Sequence, residues 1–202
     1  MENRQGVRYI QPTQVETPQW RKFIVESDLP ARLNPLRELC RNLWWVWNNE
    51  ARELFCTIDA KLWEEVEHNP IMLLEQVSFQ RFRELEKDPL FTGMMDTAYG
   101  KFTRYMKERE FLSQPQIAYF SMEYGLHDSL KIFSGGLGIL AGDYLKEASD
   151  SKVNLVGIGL LYRYGYFRQT INMFGEQMAN YIPEHFSKIP VQPTYNANGE
   201  WL

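Results

Sequence analysis

The sequence predicts an α/β protein in which a helical N-terminal region precedes a strand–helix–strand unit. Apolar residues recur at three- and four-residue steps from Asn34 to about Leu112, which indicates a series of amphipathic helices. After Pro115 the pattern changes, because the strand-like run 117–122 leads through a glycine-rich turn into a helical stretch. A second strand-like run follows at 153–161. This order predicts two parallel strands joined by a crossover helix.

Capping residues mark the expected helix starts. Asn34 followed by Pro35 opens the first predicted helix, whose apolar positions continue to Trp47. The connections between successive helices are short, which favours packed helical hairpins over a repeat array. Four later helices are predicted to begin at the capping residues Asp59, Asn69, Ser78 and Asp88.

The chain divides into three parts by composition. An irregular lead-in (1–33) precedes the helical region (34–115), and the α/β part (116–202) follows. Within the α/β part, the extended run 164–171 predicts a hairpin that turns around Arg163. The C-terminal residues indicate a strand, an asparagine–glycine turn and the start of a returning strand. We therefore expect the chain to stop before its α/β lobe is complete.

Composition and charge argue against several classes of protein. The net charge of −4, with no basic block, argues against a nucleic-acid or anionic-membrane surface. An apolar content of 44% is sufficient for a packed core. Cys40 and Cys56 form no metal pattern, and Cys40 is expected to be a buried thiol on an apolar helical face. No apolar run approaches the ~20 residues of a membrane span and no apolar signal region follows Met1, so we expect a cytoplasmic location.

The glycine-rich turn before the crossover helix is the first candidate for a functional site. Ser134 is a candidate N-cap, and Gly135 and Gly136 leave successive backbone N–H groups without a side chain in front of them. Bare amides at the positive end of a helix dipole bind anions, most often phosphate. The spacing matches neither the dinucleotide nor the P-loop fingerprint. The alternative is a purely structural turn in which Gly138 and Gly142 permit close packing.

A tryptophan cluster in the helical region allows two interpretations. Trp44, Trp47 and Trp63 recur with leucines at helical spacing, which favours a place in the core. Aromatic platforms also stack on sugar rings, so a carbohydrate-binding role is the alternative. Trp45 points away from the main apolar stripe and is the best candidate for that second role.

Three sequence blocks carry a resemblance to a known family. They are Phe120-Ser-Met-Glu-Tyr-Gly, Phe133-Ser-Gly-Gly-Leu-Gly-Ile-Leu-Ala-Gly-Asp-Tyr-Leu-Lys and Gly159-Leu-Leu-Tyr-Arg-Tyr-Gly-Tyr-Phe-Arg-Gln. In order and spacing they closely resemble the α-glucan (glycogen/maltodextrin) phosphorylase family. The block Arg41-Asn-Leu-Trp-Trp-Val-Trp-Asn-Asn-Glu-Ala is similar to the helical lead-in of its bacterial and archaeal branch.

The resemblance implies a fold, a reaction and a cofactor. It implies the N-terminal lobe, incomplete here, of a two-lobed glycosyltransferase of the GT-B type. The implied reaction is phosphorolysis, in which inorganic phosphate attacks the terminal α-1,4-linked glucose of an α-glucan and releases glucose 1-phosphate. The implied cofactor is pyridoxal phosphate, whose lysine belongs to a C-terminal lobe outside this chain. This chain by itself is therefore expected to be inactive, and a homo-oligomer is left open.

The resemblance also assigns roles to individual residues. Backbone N–H groups of Gly136 and Leu137 would hold phosphate charge, with Gly135 giving access and Gly136 approaching the cofactor. Glu123 would line the sugar pocket, although a lone carboxylate at such a position is more often a loop hydrogen-bond acceptor than a catalytic group. His127 is a candidate from the residues alone and not from the resemblance: it binds a sugar hydroxyl or phosphate, or it lies on the loop surface. No metal site is expected.

Two other functions stay open at this point. A starch or glycogen synthase relative shares the glycine turn but usually carries a lysine where this chain has Phe133. A non-catalytic glucan-binding or interaction module would use the tryptophans. The chain also departs from the phosphorylase pattern at Ser134, usually asparagine, and at Gly125, usually tyrosine.

Overall fold

A computed structural model describes residues 29–109 and 116–200 and confirms the α/β class. The predicted lead-in up to residue 28 and the predicted boundary at 113–115 lie outside the described residues. The helical region contains α1 (Pro35–Arg41), α2 (Asn49–Ile58), α3 (Ala60–Glu65), α4 (Pro70–Gln76), α5 (Phe79–Lys87) and α6 (Pro89–Lys107).

Side-chain caps define most of these helix starts. The predicted caps of α3, α4, α5 and α6 each accept a hydrogen bond from a backbone N–H of the first turn, as expected for such residues. The side chain of Asn34 makes no such bond, because its own backbone is helical and continues from a short 3-10 turn at Ala31–Leu33. The start of α2 was not predicted, although Asn48 caps it by accepting the N–H of Ala51.

The predicted first helix, from Asn34 to Trp47, is interrupted. It ends at Arg41, and the side chain of Asn42 accepts the N–H of Trp44 at 3.0 Å. That cap starts a 3-10 helix over Leu43–Trp47. The change of helix type rotates the tryptophans relative to the preceding α-helical stripe, which sequence periodicity cannot anticipate.

Trp45 consequently lies at the centre of the helical core, with 1% of its surface exposed. Its ring meets Phe55 at 5.9 Å and Trp63 at 6.0 Å, both edge-on. The core interpretation is therefore correct for Trp45, and the sugar-stacking alternative is wrong for it. Trp47 is only half-buried and donates its indole N–H to Asp150 at 3.1 Å. Cys40 is buried as expected, and burial raises the pKa of its thiol to about 12.

The α/β part begins with the predicted strand–helix–strand unit. β1 (Ile117–Phe120) pairs in parallel with β2 (Leu155–Ile158), and α7 (Gly136–Asp150) forms the crossover. The register places Ile117 opposite Leu155. The carboxyl end of β1 therefore leads directly to the loop that carries Glu123, as predicted for an α/β site.

The hairpin that follows turns at a different place from the one predicted. β3 (Arg168–Ile171) and β4 (Gln177–Asn180) pair antiparallel, so the turn lies at 172–176 and not around Arg163. The side chain of Asn172 accepts two backbone N–H groups of the turn, at 2.9 and 3.0 Å. Such an asparagine-based turn needs no asparagine–glycine pair, which is why turn dipeptides did not reveal it.

α7 packs through its glycines and not through its large apolar residues. Leu137, Leu140 and Tyr144 are 74%, 68% and 51% exposed, so the predicted apolar stripe is wrong at these positions. A Cβ added at Gly142 would lie 2.2 Å from the carbonyl oxygen of Gly125. Backbone therefore touches backbone on this face of the helix, and only glycine permits the approach.

Polar contacts join the end of α7 to the helical region. The hydroxyl of Tyr105 lies 2.8 Å from the Asp150 carboxylate and 2.6 Å from the hydroxyl of Ser149. Trp47 reaches the same carboxylate. Among the described helices, none is long and apolar enough to cross a membrane.

The glycine contact in α7 yields a stability prediction. Gly142→Ala should lower the free energy of unfolding by about 3 kcal/mol, because the added methyl group would collide with backbone atoms that cannot rotate away. Gly93→Ala in α6 is the control, since a Cβ there meets nothing within 4 Å. It should leave stability unchanged or raise it by about 1 kcal/mol. Urea unfolding of both variants tests this, and similar effects would refute the packing role of Gly142.

The tryptophans yield a second stability prediction. Trp45→Ala should lower the free energy of unfolding by about 3–5 kcal/mol, as expected when a fully buried aromatic side chain is removed. Trp47→Ala should cost clearly less, because its ring is only half-buried and its main polar contact is one hydrogen bond. Thermal or urea midpoints measure both, and equal losses would contradict the central position of Trp45.

Candidate functional site

The candidate site begins at the turn between the end of β1 and the start of α7. Gly135 is the residue before the helix, with an extended backbone (φ −161°), and α7 begins at Gly136. The N–H groups of the first helical turn have no acceptor within the helix. Gly135, Gly136 and Leu137 are all exposed. The turn therefore presents free amides at the positive end of a helix of 15 residues.

Neither backbone geometry nor packing requires glycine at the two exposed positions. A Cβ added at Gly135 or Gly136 would meet nothing within 4 Å, and neither φ is positive. Gly138 differs, because a Cβ there would lie 2.6 Å from the Cβ of Phe133. The structural alternative for the turn thus explains Gly138 and Gly142 and leaves the other two glycines without an explanation inside the described chain.

Glu123 holds the residue that precedes these glycines. Its carboxylate accepts the Ser134 hydroxyl at 2.8 Å and the Ser134 N–H at 3.2 Å. Ser134 is therefore not the helix cap that the sequence predicts, because its side chain is engaged by Glu123 and α7 has no side-chain cap. The expectation that Glu123 accepts hydrogen bonds within the loop is met, and this contact positions the glycine turn.

A cavity of about 200 Å³ adjoins Glu123 and Ser134, and we call it the inner cavity. Tyrosines from the segment after β2 dominate its wall, and the hydroxyl of Tyr162 donates to the carbonyl of Met122 at 3.1 Å. Aromatic faces beside polar groups suit a ligand with both apolar and hydroxyl surfaces. The lining residues are Glu123, Lys131, Ile132, Phe133, Ser134, Tyr162, Tyr164, Gly165 and Tyr166.

A second cavity of about 560 Å³, the outer cavity, lies between the α3–α4 turn and the α/β part. The sequence did not indicate it, because its helical residues show no motif and only the fold brings them to the glycine turn. It shares four lining residues with the inner cavity. Its lining consists of Glu64, Glu67, His68, Asp128, Lys131, Phe133, Ser134, Tyr166 and Arg168.

His127 lies against the helical core. Its ring centroid is 4.7 Å from that of Trp45, and its Nδ1 accepts the backbone N–H of Ser129 at 3.1 Å. Because that N–H can only donate, the neutral ring carries its proton on Nε2. Burial is the main cause that lowers the pKa of His127 to about 4. His127 does not line either cavity, so its placement favours a packing role.

His127 yields a prediction about pH. The folded imidazole has a pKa of about 4 against an ordinary 6.5, so the unfolded chain binds more protons between these values. Stability should therefore fall as the pH is lowered from about 6.5 to about 4, and less steeply in His127→Gln. Urea unfolding across this range and an NMR titration of the His127 ring measure both effects. Titration of His127 near its ordinary pKa would contradict the buried placement.

Comparisons with known proteins identify a family and several relatives of this chain. The family described as "Protein of unknown function (DUF3417)" matches residues 29–130, about half of the chain, and the chain belongs to this family. No solved structure matches this chain.

Curated relatives extend the similarity over most of the chain. This chain is 39% identical over 192 residues to a glycogen phosphorylase of Mycobacterium tuberculosis, a match that covers 89% of this chain and 22% of the relative. It is 38% identical over 185 residues to a maltodextrin phosphorylase of Thermococcus litoralis, covering 88% and 22%. A glycogen phosphorylase of Aquifex aeolicus is 39% identical over 170 residues, covering 83% and 24%. The resemblance recognised from the sequence blocks is thus confirmed, and the chain spans less than a quarter of these relatives.

Among the described residues, no group of three or more histidine, cysteine, aspartate and glutamate side chains is placed to hold a metal ion.

Proposed function

We propose that this chain is the N-terminal part of an α-1,4-glucan phosphorylase of the two-lobed GT-B type. The curated relatives named glycogen or maltodextrin phosphorylase support the enzyme class. The observation that carries the site is the pair Gly135–Gly136, where an added Cβ would enter open space at the start of α7. Glycine at both positions is explained if a ligand comes close to the backbone.

The glycine turn would bind the charge of a phosphate group. The N–H groups of Gly136 and Leu137 point out of the first turn of α7, and the helix dipole adds favourable potential there. The Glu123 carboxylate accepts hydrogen bonds from the N–H and the hydroxyl of Ser134. These bonds hold the turn in place and leave the backbone N–H groups of the next residues free for a ligand. Preorganised hydrogen-bond donors of this kind are most effective where charge develops in the transition state.

The reaction would be phosphorolysis. An oxygen of inorganic phosphate forms a bond to the anomeric carbon of the terminal glucose while the glycosidic bond breaks. The leaving glucan oxygen takes the proton of the attacking phosphate, so that glucose 1-phosphate and a shortened glucan are released. The tyrosine-lined inner cavity next to Glu123 is the place in this chain where a glucose ring would fit.

The open space at Gly136 also fits the phosphate of a bound cofactor. The exposed amides of Gly136 and Leu137 are donors that match a phosphate oxygen, so these residues would hold that group. Pyridoxal phosphate, when bound, supplies proton transfer to the substrate phosphate through its own 5′-phosphate. Its lysine would come from sequence outside this chain, so the chain by itself would be inactive. A storage-glucan substrate would place the protein in the cytoplasm.

The synthase-like alternative has less support. The relatives reported above carry phosphorylase names, and Phe133 stands where a synthase relative usually has lysine. The glucan-binding module is also less favoured, because Trp45 is buried in the core.

Gly136→Ala tests the proposed function. In the phosphorylase polypeptide that carries this chain, the added methyl group should obstruct phosphate and reduce kcat for phosphorolysis by about 10²–10³-fold. Folding should be little affected, because φ is not positive and the new Cβ contacts nothing within 4 Å. The measurements are glucose 1-phosphate release at saturating phosphate and the thermal midpoint of the same sample.

Gly93→Ala serves as the matched control, since it adds the same methyl group to open space far from the turn in sequence. It should retain full activity. Normal turnover in Gly136→Ala would remove the phosphate role, and parallel losses of stability and activity would leave the turn as structure only.

A further inference from the structure

We propose that the outer cavity is a subsite for a gluco-oligosaccharide chain, an assignment that rests on the proposed function and extends it to the helical region. The cavity is formed jointly by Glu67 and His68 of the α3–α4 turn and by Tyr166 and Arg168 of the α/β part. Its volume of about 560 Å³ falls within the range of small-molecule sites. Ser134 lies in its wall, so it directly adjoins the glycine turn.

The charges in the wall favour a neutral polar ligand. Three carboxylates (Glu64, Glu67 and Asp128) face two cations (Lys131 and Arg168) in the same lining. An anion would meet the carboxylates, and a metal cation would meet the lysine and arginine. A sugar carries hydroxyl groups that both donate and accept, so it can satisfy both kinds of side chain at once.

The backbone at the α3–α4 turn carries two large side chains in a conformation that disfavours them. Glu67 and His68 have φ values of 53° and 58°, in the left-handed region where glycine is the residue of lowest cost. The two side chains are nevertheless present and are held in place at the cavity. Glu67 forms an ion pair with Arg168, and His68 Nε2 lies 3.0 Å from the Glu64 carboxylate. Strain of this kind concentrates at binding sites.

Tyr166 supplies an aromatic surface. It is 58% exposed, and its ring centroid lies 4.6 Å from that of Phe167. Because Tyr166 lines both the inner and the outer cavity, a glucan chain could extend from one to the other along its ring. A tyrosine side chain offers a large apolar contact area, with a hydroxyl for hydrogen bonding.

The test is binding of maltoheptaose, measured by calorimetry without phosphate in the polypeptide that carries this chain. Tyr166→Ala should raise Kd about tenfold, the effect of losing one stacking contact. Tyr195→Ala is the matched control, since Tyr195 is also 58% exposed and does not line the cavity, and its Kd should equal that of the wild type.

Glu67→Gly separates binding from folding. Glycine suits the left-handed backbone, so the thermal midpoint should stay the same or rise while maltoheptaose affinity falls several-fold. Wild-type affinity in Glu67→Gly would overturn the subsite even if Tyr166→Ala binds weakly, because Tyr166 also lines the inner cavity and Glu67 lines only the outer one. This conclusion would hold even if the wild type releases glucose 1-phosphate. Conversely, weakened binding in both variants of a protein that releases no glucose 1-phosphate would support the subsite and refute the proposed function.

Discussion

The contact between α7 and the loop after β1 is the constraint on which the α/β part depends. The N–H of Gly125 donates to the carbonyl of Gly138 at 2.7 Å, and Gly142 lies against the carbonyl of Gly125. Because backbone meets backbone, no side-chain movement can absorb a change there. The contact sets the distance between the end of β1 and the start of α7. It thereby brings the Glu123 carboxylate to Ser134 and directs the next amides outward.

The glycines of this region fall into classes with different physical reasons. Gly125, Gly138 and Gly142 are required by packing, because a Cβ at each would lie within 3.0 Å of neighbouring atoms. Gly135 and Gly136 are required by neither packing nor backbone conformation. A glycine-rich turn thus contains residues that packing requires to be glycine and residues for which we propose a ligand as the reason. Close packing explains Gly138 and Gly142, and the proposed anion binding concerns the other two glycines of the turn.

The helical region supports the α/β part and also lines the outer cavity. Its aromatic core contacts His127 through Trp45, and Tyr105 and Trp47 bind the last turn of α7 through Asp150. The loop between β1 and α7 and the C-terminal end of α7 are therefore held by the same group of helices. The α3–α4 turn extends this surface to the glycine turn, which makes the boundary between the two parts the place where ligand contacts would gather.

Local chemistry determined much of the fold from the sequence alone. Helix starts at Asp59, Asn69, Ser78 and Asp88 followed from short-range capping, and the parallel unit followed from its strand–helix–strand order. The glycine-rich turn and the family resemblance can also be identified from the sequence without the structure.

Only the tertiary structure decided the rest, because it depends on contacts between residues distant along the chain. The burial of Trp45 depends on a 3-10 turn and on partners in α2 and α3. The buried face of α7 is its small-residue face, since the backbone of the β1 loop approaches it. The outer cavity exists only where the α3–α4 turn meets Tyr166 and Arg168, about a hundred residues later. The sequence shows how apolar side chains are spaced along a helix or strand. Which of them become buried is decided by the other segments that pack against that element.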